Sequence, residues 1–569
     1  MLSTSTPQQR VRMRRLVPLL VLAGGAFAGG LLAASLHEPE ERRLAARFAD
    51  AWAREDYAEM HAMLSPGARR QTPLRRFART HRRARATATV TELRTERPLE
   101  PHEHSVDVPV AVRTRIFGEL RQTVTLPMVD GEGGEPAIAW APHMAFPGMR
   151  AGEELSRTTR MPERATIQAR DGTPIAQGEA RLSELDPLAS EIAGRVGPAP
   201  PERVAELRTL GIPPDAPVGL TGLEREFDRR LAGTPGGILR AGSRALAVSS
   251  PRPGRSVRTT IDPEIQRAAV EALAGRYGGI AAVRPRNGEV LALAGVAFSA
   301  PQPPGSVFKI ITLAAALEAG TVKRSESFPM QTAATLEGIE LENANGESCG
   351  GSLINSFAHS CNSVFAPMGA ELGAERLVQT AERFGFNKDP RLSGAARSTI
   401  PAAGEVGDDL AVGSTAIGQG KVLTTPLQMA LVAAAIGEKG RLVDPTLLRG
   451  ERTASRQATR REIARFVGRG MRAVVTGGTG VGAAVDGVKV AGKTGTAELR
   501  STVSEDPVPE DPAQPPPVED VTDTDAWFAA YAPAGHPRIA VCVLLIAQGA
   551  GGEVAAPAAA QVISAAVGR

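Results

Sequence analysis

Lysine is scarce in this chain of 569 residues. Only Lys309, Lys323, Lys388, Lys421, Lys439, Lys489 and Lys493 stand among its 66 basic residues, and all the others are Arg. A position that keeps Lys is therefore a place to look for chemistry that a permanently charged guanidinium does not perform. Cysteine is scarcer still: Cys349, Cys361 and Cys542 are too few for a disulfide framework. Their spacing fits no zinc pattern, and eight His without paired-ligand spacing add no metal chemistry. An excess of one charge is missing too, since 66 basic against 62 acidic residues leave +4, too little to suggest nucleic-acid binding. What is present is the globular balance, 42% hydrophobic and 22% charged. At roughly 100 to 200 residues per domain, that length predicts about three to five folding units.

The N-terminus carries the one long apolar run. Arg10, Arg12, Arg14 and Arg15 precede Leu16 to Leu36, 21 residues without a charge, about the length that spans a bilayer as helix. The positive flank puts residues 1–15 in the cytoplasm and everything after Leu36 outside it. A cleaved signal peptide is the competing reading, but the run exceeds the usual apolar region of roughly 7 to 15 residues, and Ala33-Ala34-Ser35 is a weak cleavage site.

Beyond the anchor, Leu44, Phe48, Trp52, Tyr57 and Met60 recur among charged residues as one amphipathic helix from Glu40 to about Met63, and Arg-rich helical turns follow from Arg69 to Arg85. Alternating segments at 87–93, 106–112 and 122–128 then predict strands, completing a small α+β unit over 40–150. In 151–255, residues 164–176 read as strand, Asp-Gly turn and strand, and 222–233 as a helix bounded by glycines. From 256 onward Asp262 caps a helix whose first residue is Pro263 and which runs to Leu273. Strands at 278–283 and 289–293 follow about Asn287-Gly288, as an α/β sandwich would open.

Three elements carry chemistry. Ser306 precedes Lys309 by three residues at the start of an almost wholly apolar helix that ends at Gly320. The spacing predicts Ser306 in its first turn with Lys309 on the same face. A buried lysine favours its neutral amine, which can take a serine proton, and the helix N-terminus favours negative charge developing there. An N-cap serine beside an incidental lysine is the plain alternative, weakened because this chain nearly always chooses Arg. Second, Ser360-Cys361-Asn362 offers a hydroxyl for proton relay and a carboxamide for a substrate carbonyl; alone, the triplet reads equally as a turn or cap. Third, Val488 to Glu498 alternates as a strand in which Gly492 and Gly495 let another backbone approach the edge. Lys493 and Thr494 there suit a substrate carboxylate, and the Thr496 N–H can join that of Ser306 in an oxyanion hole. Gly487 to Thr494 also fits the phosphate-loop pattern Gly-x-x-x-x-Gly-Lys-Thr, but strand-like residues fill the loop positions and no helix pattern follows.

The three elements, in order and 54 and 133 residues apart, resemble the active-site set of penicillin-binding proteins and serine β-lactamases. The stretches 259–273, 416–430 and 526–533 are similar to the transpeptidase module, and no glycosyltransferase-like segment precedes them, which points to class B penicillin-binding proteins. The resemblance implies a membrane anchor (16–36), an α+β NTF2-like domain (40–150), a β-rich pedestal or dimerisation domain (151–255) and an α/β serine β-lactamase/transpeptidase-like domain (256–569). It implies Ser306 as acylated nucleophile, Lys309 as its base, Ser360 and Asn362 lining the cleft, and Lys493, Thr494 and Gly495 binding substrate, with no cofactor and no metal. The implied reaction cleaves D-Ala-D-Ala on a peptidoglycan stem peptide and transfers the acyl group to an amine of a neighbouring stem. The implied partners are peptidoglycan, β-lactams, the membrane and the glycosyltransferase machinery of the cell wall.

Three rivals stand beside it. A β-lactamase uses the same elements, but the Glu-x-x-x-Asn pattern of the class A type is absent between Asn362 and Lys493. A D,D-carboxypeptidase differs only in the acceptor. A β-lactam sensor or scaffold would need a signalling domain for which a tail of 15 residues leaves little room. Within 499–525 the chain departs from the module with an acidic, Pro-rich insertion, read as a mobile surface loop or a lid over the cleft. Cys349 and Cys361 could pair outside the cytoplasm or stay buried thiols.

Overall fold

The computed structural model describes residues 38–183, 192–392, 394–498 and 524–568. The apolar run at 16–36 and nearly all of the insertion at 499–525 lie outside them. Among the described residues no helix is long and apolar enough to cross a membrane.

The chain forms two compact units. The first opens with helices α1 (Glu40–Ala53), α2 (Tyr57–Ala62), α3 (Pro66–Gln71) and α4 (Leu74–Ala88). The single helix expected over 40–63 is broken in two: Glu55 takes φ +61° and Asp56 caps α2 by accepting from the Glu59 N–H. Strands β1 (Val90–Thr95), β2 (Ser105–Thr114), β3 (Gly118–Asp130) and β4 (Pro136–Ile138) then make an antiparallel sheet in that order. Val106, Val108, Val110 and Val112 of β2 are buried against the helices while their neighbours face outward, the period of two of a sheet covered on one side.

Residues 151–255, expected as one domain, are shared between the units. The strand Leu155–Arg160 pairs with the hairpin Gly236–Ala241 and Arg244–Ser249, and Leu239 completes the first core. Ile167, Ile175, Leu231 and Val257 instead bury in the core of the second unit. Apolar side chains pulled two ways therefore divide the segment. The predicted helix at 222–233 is two short ones, Gly222–Glu226 and Asp228–Ala232, and its fully buried Glu224 is held by Arg164 at 2.6 Å and Arg181 at 2.7 Å. A buried carboxylate needs such partners.

The second unit is built on one antiparallel sheet. Its elements are α5 (Pro263–Leu273), β5 (Gly278–Val283), β6 (Val290–Gly295), α6 (Lys309–Ala319), α7 (Asn362–Leu372), α8 (Pro426–Gly437), α9 (Arg461–Gly477), β7 (Ala491–Glu498), β8 (Thr524–Ala532), β9 (Ile539–Leu545) and α10 (Ala556–Val567), with shorter segments between. Strand order is β6-β5-β9-β8-β7, so β7 is an edge. Both faces are covered, which is why β5, β8 and β9 read as nearly unbroken apolar runs. Trp527, Ala529, Cys542 and Leu544 face a core shared with α6, α7 and α8; Phe528, Ala530, Val541 and Val543 face one shared with α5 and α10. Asp262 caps α5 as its sequence predicted.

In the first core His81 of α4 is fully buried among the rings of Trp52, Tyr57, Phe77 and Trp140, at centroid distances of 5.7, 5.5, 4.6 and 5.7 Å. Neither ring nitrogen has a hydrogen-bond partner among the described residues. Burial, helped by Arg85, lowers its pKa to about 3. The unfolded chain therefore binds a proton here that the folded unit refuses, so stability is intact above about pH 6.5 and falls toward pH 3. The thermal midpoint of this unit should drop on acidification by the equivalent of about 1.4 kcal/mol per pH unit below the unfolded pKa. Calorimetry from pH 7 to 4 should show that component absent in His81→Phe.

Candidate active site

Ser306 lies in a 3-10 turn, Gly305–Phe308, that leads into α6, rather than in the first turn of the α-helix itself. The tighter winding is set by close backbone packing. The Gly305 N–H donates to Gly418 O at 3.0 Å, and a Cβ on Gly418 would lie 2.0 Å from Gly305 O. A Cβ on Gly305 would in turn meet Thr496 O at 2.5 Å, so the turn is wedged between the 418 loop and strand β7. Val307 and Phe308 are buried, leaving Ser306 half-exposed at the one open position of the turn.

Lys309, one turn on, has no exposed surface. Its Nζ lies 2.7 Å from Ser360 O, 3.2 Å from Ser360 Oγ and 2.6 Å from Asn362 Oδ1, with the Phe365 ring centroid at 5.6 Å. Burial first, and the nearby Lys493 second, hold this amine well below the ordinary lysine range. A neutral amine has two N–H donors and one lone pair. The two carbonyl-type oxygens take the donors and leave the lone pair for a hydroxyl proton.

Ser360 reaches the amine by adopting φ +61°, a left-handed backbone that costs a non-glycine residue roughly 1–2 kcal/mol. The strained residue is held on its far side by the Cys349–Cys361 disulfide, with Cα atoms 5.4 Å apart. The Asn362 carboxamide, expected to hold a substrate carbonyl, is engaged by the chain itself: Oδ1 accepts from Lys309 and Nδ2 donates to Glu342 O at 2.7 Å.

Lys493 is equally buried, lies 5.7 Å from the Phe357 ring centroid, and donates to Thr494 O at 3.0 Å. The rings of Phe357 and Phe365 are themselves 5.9 Å apart. The two lysines thus stand on one pair of aromatic faces, which stabilise a cation without hydrating it. Burial lowers Lys493 to about 7. The Thr494 hydroxyl is 2.5 Å from that of Thr479, which donates to Ala358 O at 3.3 Å. Thr496 is half-exposed on the edge strand. Of the two glycines, Gly492 differs from expectation, since a Cβ there would strike the Phe528 ring at 2.3 Å behind the sheet, whereas one on Gly495 would meet a backbone atom, Pro304 O, at 2.8 Å. The backbone that Gly495 admits is that of the nucleophile's own turn. The phosphate-loop pattern spans a turn at Gly487 and enters β7 from Ala491, so it leads into a strand and not into a helix N-terminus.

The fold therefore brings the turn of Ser306 together with Lys309, Ser360, Asn362, Lys493, Thr494, Gly495 and Thr496. Thr479, Phe357 and Phe365 escaped the sequence reading, whereas Gly418 lies within the stretch 416–430 already likened to the transpeptidase module. Only the run Gly477-Gly478-Thr479-Gly480 carried any local signal, that of a tight loop.

Residues 278–564 match the penicillin binding protein transpeptidase domain, half of the chain. The chain belongs to the penicillin-binding protein transpeptidase family. It is 34% identical over 378 residues to the peptidoglycan D,D-transpeptidase PbpA of Mycobacterium tuberculosis, covering 55% of this chain and 73% of that one. It is similar in structure to penicillin-binding protein A of M. tuberculosis solved as an imipenem acyl-enzyme complex, with TM-score 0.56, 26% identity, 71% of this chain and 99% of that one covered. Pseudomonas aeruginosa PBP2 matches at TM-score 0.61, 26% identity, 72% of this chain and 96% of that one.

Because the Lys493 cation helps keep Lys309 neutral, its removal should let Lys309 protonate at higher pH. In Lys493→Gln, the acid limb of the pH profile for β-lactam acylation should move upward by about one unit. Stopped-flow acylation between pH 5 and 9 reads that limb directly, and an unmoved limb contradicts the coupling.

Proposed function

We propose that this protein is a membrane-anchored class B peptidoglycan D,D-transpeptidase that works through an acyl-enzyme on Ser306. The observation that carries the reading is the Lys309 amine, fully buried and donating to Ser360 O and Asn362 Oδ1 one turn beyond a half-exposed serine. Membership in the transpeptidase family and the likeness to an enzyme solved as a β-lactam acyl-enzyme support it.

In this reading the Lys309 lone pair takes the Ser306 proton as Oγ attacks the carbonyl between the two D-alanines of a stem peptide. The backbone N–H groups of Ser306 and Thr496 hold the tetrahedral oxyanion. Collapse expels the terminal D-alanine, its amine receiving the proton from Lys309 by way of Ser360 Oγ. An amine of a neighbouring stem then attacks the ester, gives up a proton to the Lys309 amine as the new amide forms, and the C–O bond breaks with that proton passing from Lys309 to Ser306 Oγ. Thr494 and Gly495 on the edge strand receive the substrate carboxylate, and Lys493, buried beside Thr494, orients it through its charge, which a bound anion favours. β-Lactams acylate Ser306 as mimics of the same dipeptide.

We further read Leu16 to Leu36 as the membrane anchor, with the catalytic unit outside the cytoplasm. The α+β unit that follows is the NTF2-like domain. The split segment 151–255 corresponds to the pedestal, and the unit from Gly254 onward holds the transpeptidase module.

Full-length protein in detergent should label with fluorescent penicillin and keep the label for hours. Ser306→Ala should not label at all, and Lys309→Ala should acylate at least about a hundredfold more slowly, the usual scale of a lost general base. Rapid loss of label with turnover would make the protein a β-lactamase, and release of D-alanine without cross-linked product would make it a carboxypeptidase.

A further inference from the structure

Helix α4 carries a charge pattern that nothing in the catalytic reading uses. From Met60 through Thr91 there is no Asp or Glu, while Arg69, Arg70, Arg75, Arg76, Arg79, Arg82, Arg83 and Arg85 all fall in that stretch. Phe77, Ala78, His81, Ala84 and Ala88 turn α4 toward the core, which leaves Arg75, Arg76, Arg79, Arg82 and Arg83 exposed on its outer side. Arg82 lies over the Tyr57 ring at 5.5 Å, and Arg85 pairs with Glu55 at 2.6 Å. Arg75, Arg76, Arg79 and Arg83 have no carboxylate partner among the described residues. Arg42, Arg54, Arg94, Arg113 and Arg121 of the same unit, by contrast, each reach a Glu. Like charges three and four residues apart on one helix repel, so this face is destabilised unless an anion covers it.

The tether limits what that anion can be. The apolar run ends at Leu36 and α1 begins at Glu40, a gap that spans at most about 14 Å. Trp52, against which His81 of α4 packs, lies only about 18 Å farther along α1. A unit held this close to a bilayer must present some face to it, and the face with four uncompensated guanidiniums suits a surface of phosphates, which Arg engages bidentately.

We propose that the Arg75, Arg76, Arg79 and Arg83 face of α4 docks on anionic phospholipid headgroups, fixing the N-terminal unit against the membrane rather than leaving it to swing on its tether. The inference rests on the reading of residues 16–36 as a membrane span. Charge attraction of this kind decays within roughly a Debye length, so it demands contact and yields to salt.

The test uses the full-length chain in nanodiscs of phosphatidylcholine, with or without phosphatidylglycerol, both containing brominated lipid. A fluorophore is placed by Gln71→Cys, an exposed site at the end of α3. The native cysteines leave that label selective, since Cys349 and Cys361 are bonded and Cys542 is buried. Quenching in anionic discs should exceed that in neutral discs by about threefold or more and collapse to the neutral level in about 0.5 M salt. The combined variant Arg75→Gln, Arg76→Gln, Arg79→Gln, Arg83→Gln should lose the excess, with penicillin labelling of the same sample checking that the catalytic unit is intact. Lys at the same four positions should keep the excess and its salt dependence, which holds the test even where the Gln variant fails to fold. Equal quenching in both lipids, or excess quenching that survives the four Gln, overturns the proposal and leaves an acidic protein surface as the alternative occupant. A chain that never enters the discs overturns the anchor reading and this inference with it, an outcome visible before any quenching is measured.

Discussion

The buried Lys309 amine is the group on which the geometry of the catalytic unit converges. It has no exposed surface, and its two nearest oxygens come from a segment more than fifty residues away in sequence, at 2.7 and 2.6 Å. Leaving it charged there would be costly, so the same burial that packs α6 into the core also lowers the pKa of the amine. Ser360 accepts a left-handed backbone to supply its carbonyl, and the Cys349–Cys361 bridge, the start of α7 and the Asn362 bond to Glu342 hold that loop in place. Local strain is tolerated because several independent constraints surround it.

The sheet supplies the other half of the site. Strand β7 is an edge, so one row of its backbone groups is open, while β8 and β9 behind it are buried on both faces. Rigid packing of Trp527 and Phe528 on opposite faces keeps that edge from drifting. The turn of Ser306 can then be set against β7 with backbone-to-backbone closeness that no side chain would permit at Gly305 or Gly418. Each lysine stands over one of two neighbouring phenylalanine rings, and burial pushes both amines down, Lys493 to about 7 and Lys309 well below the ordinary lysine range with the nearby Lys493 as a second cause.

Legibility followed locality. The Asp262 cap on α5, the buried helix from Lys309 to Gly320 and the strand around Lys493 are written in residues within a turn or two of one another, and the structure has them. The break of 40–63 at Glu55 and the division of 151–255 were not legible, because both depend on which core each apolar side chain joins. The engagement of Asn362 with Lys309, and of Thr494 with Thr479, belongs to the same class, since the partners lie 53 and 15 residues apart.

By itself the sequence determined the chemical inventory: a serine three residues before one of only seven lysines, a Ser-x-Asn triplet, a Lys-Thr-Gly strand, and the apolar patterns that bury them. Periodicity and capping act over a few residues, so that inventory could be read from spacing alone. Only the tertiary structure decided which groups are in contact, that both lysines lose all access to water, and that Gly495 admits the backbone of Pro304. Desolvation and close backbone approach are properties of packed neighbours, and packed neighbours here are far apart along the chain.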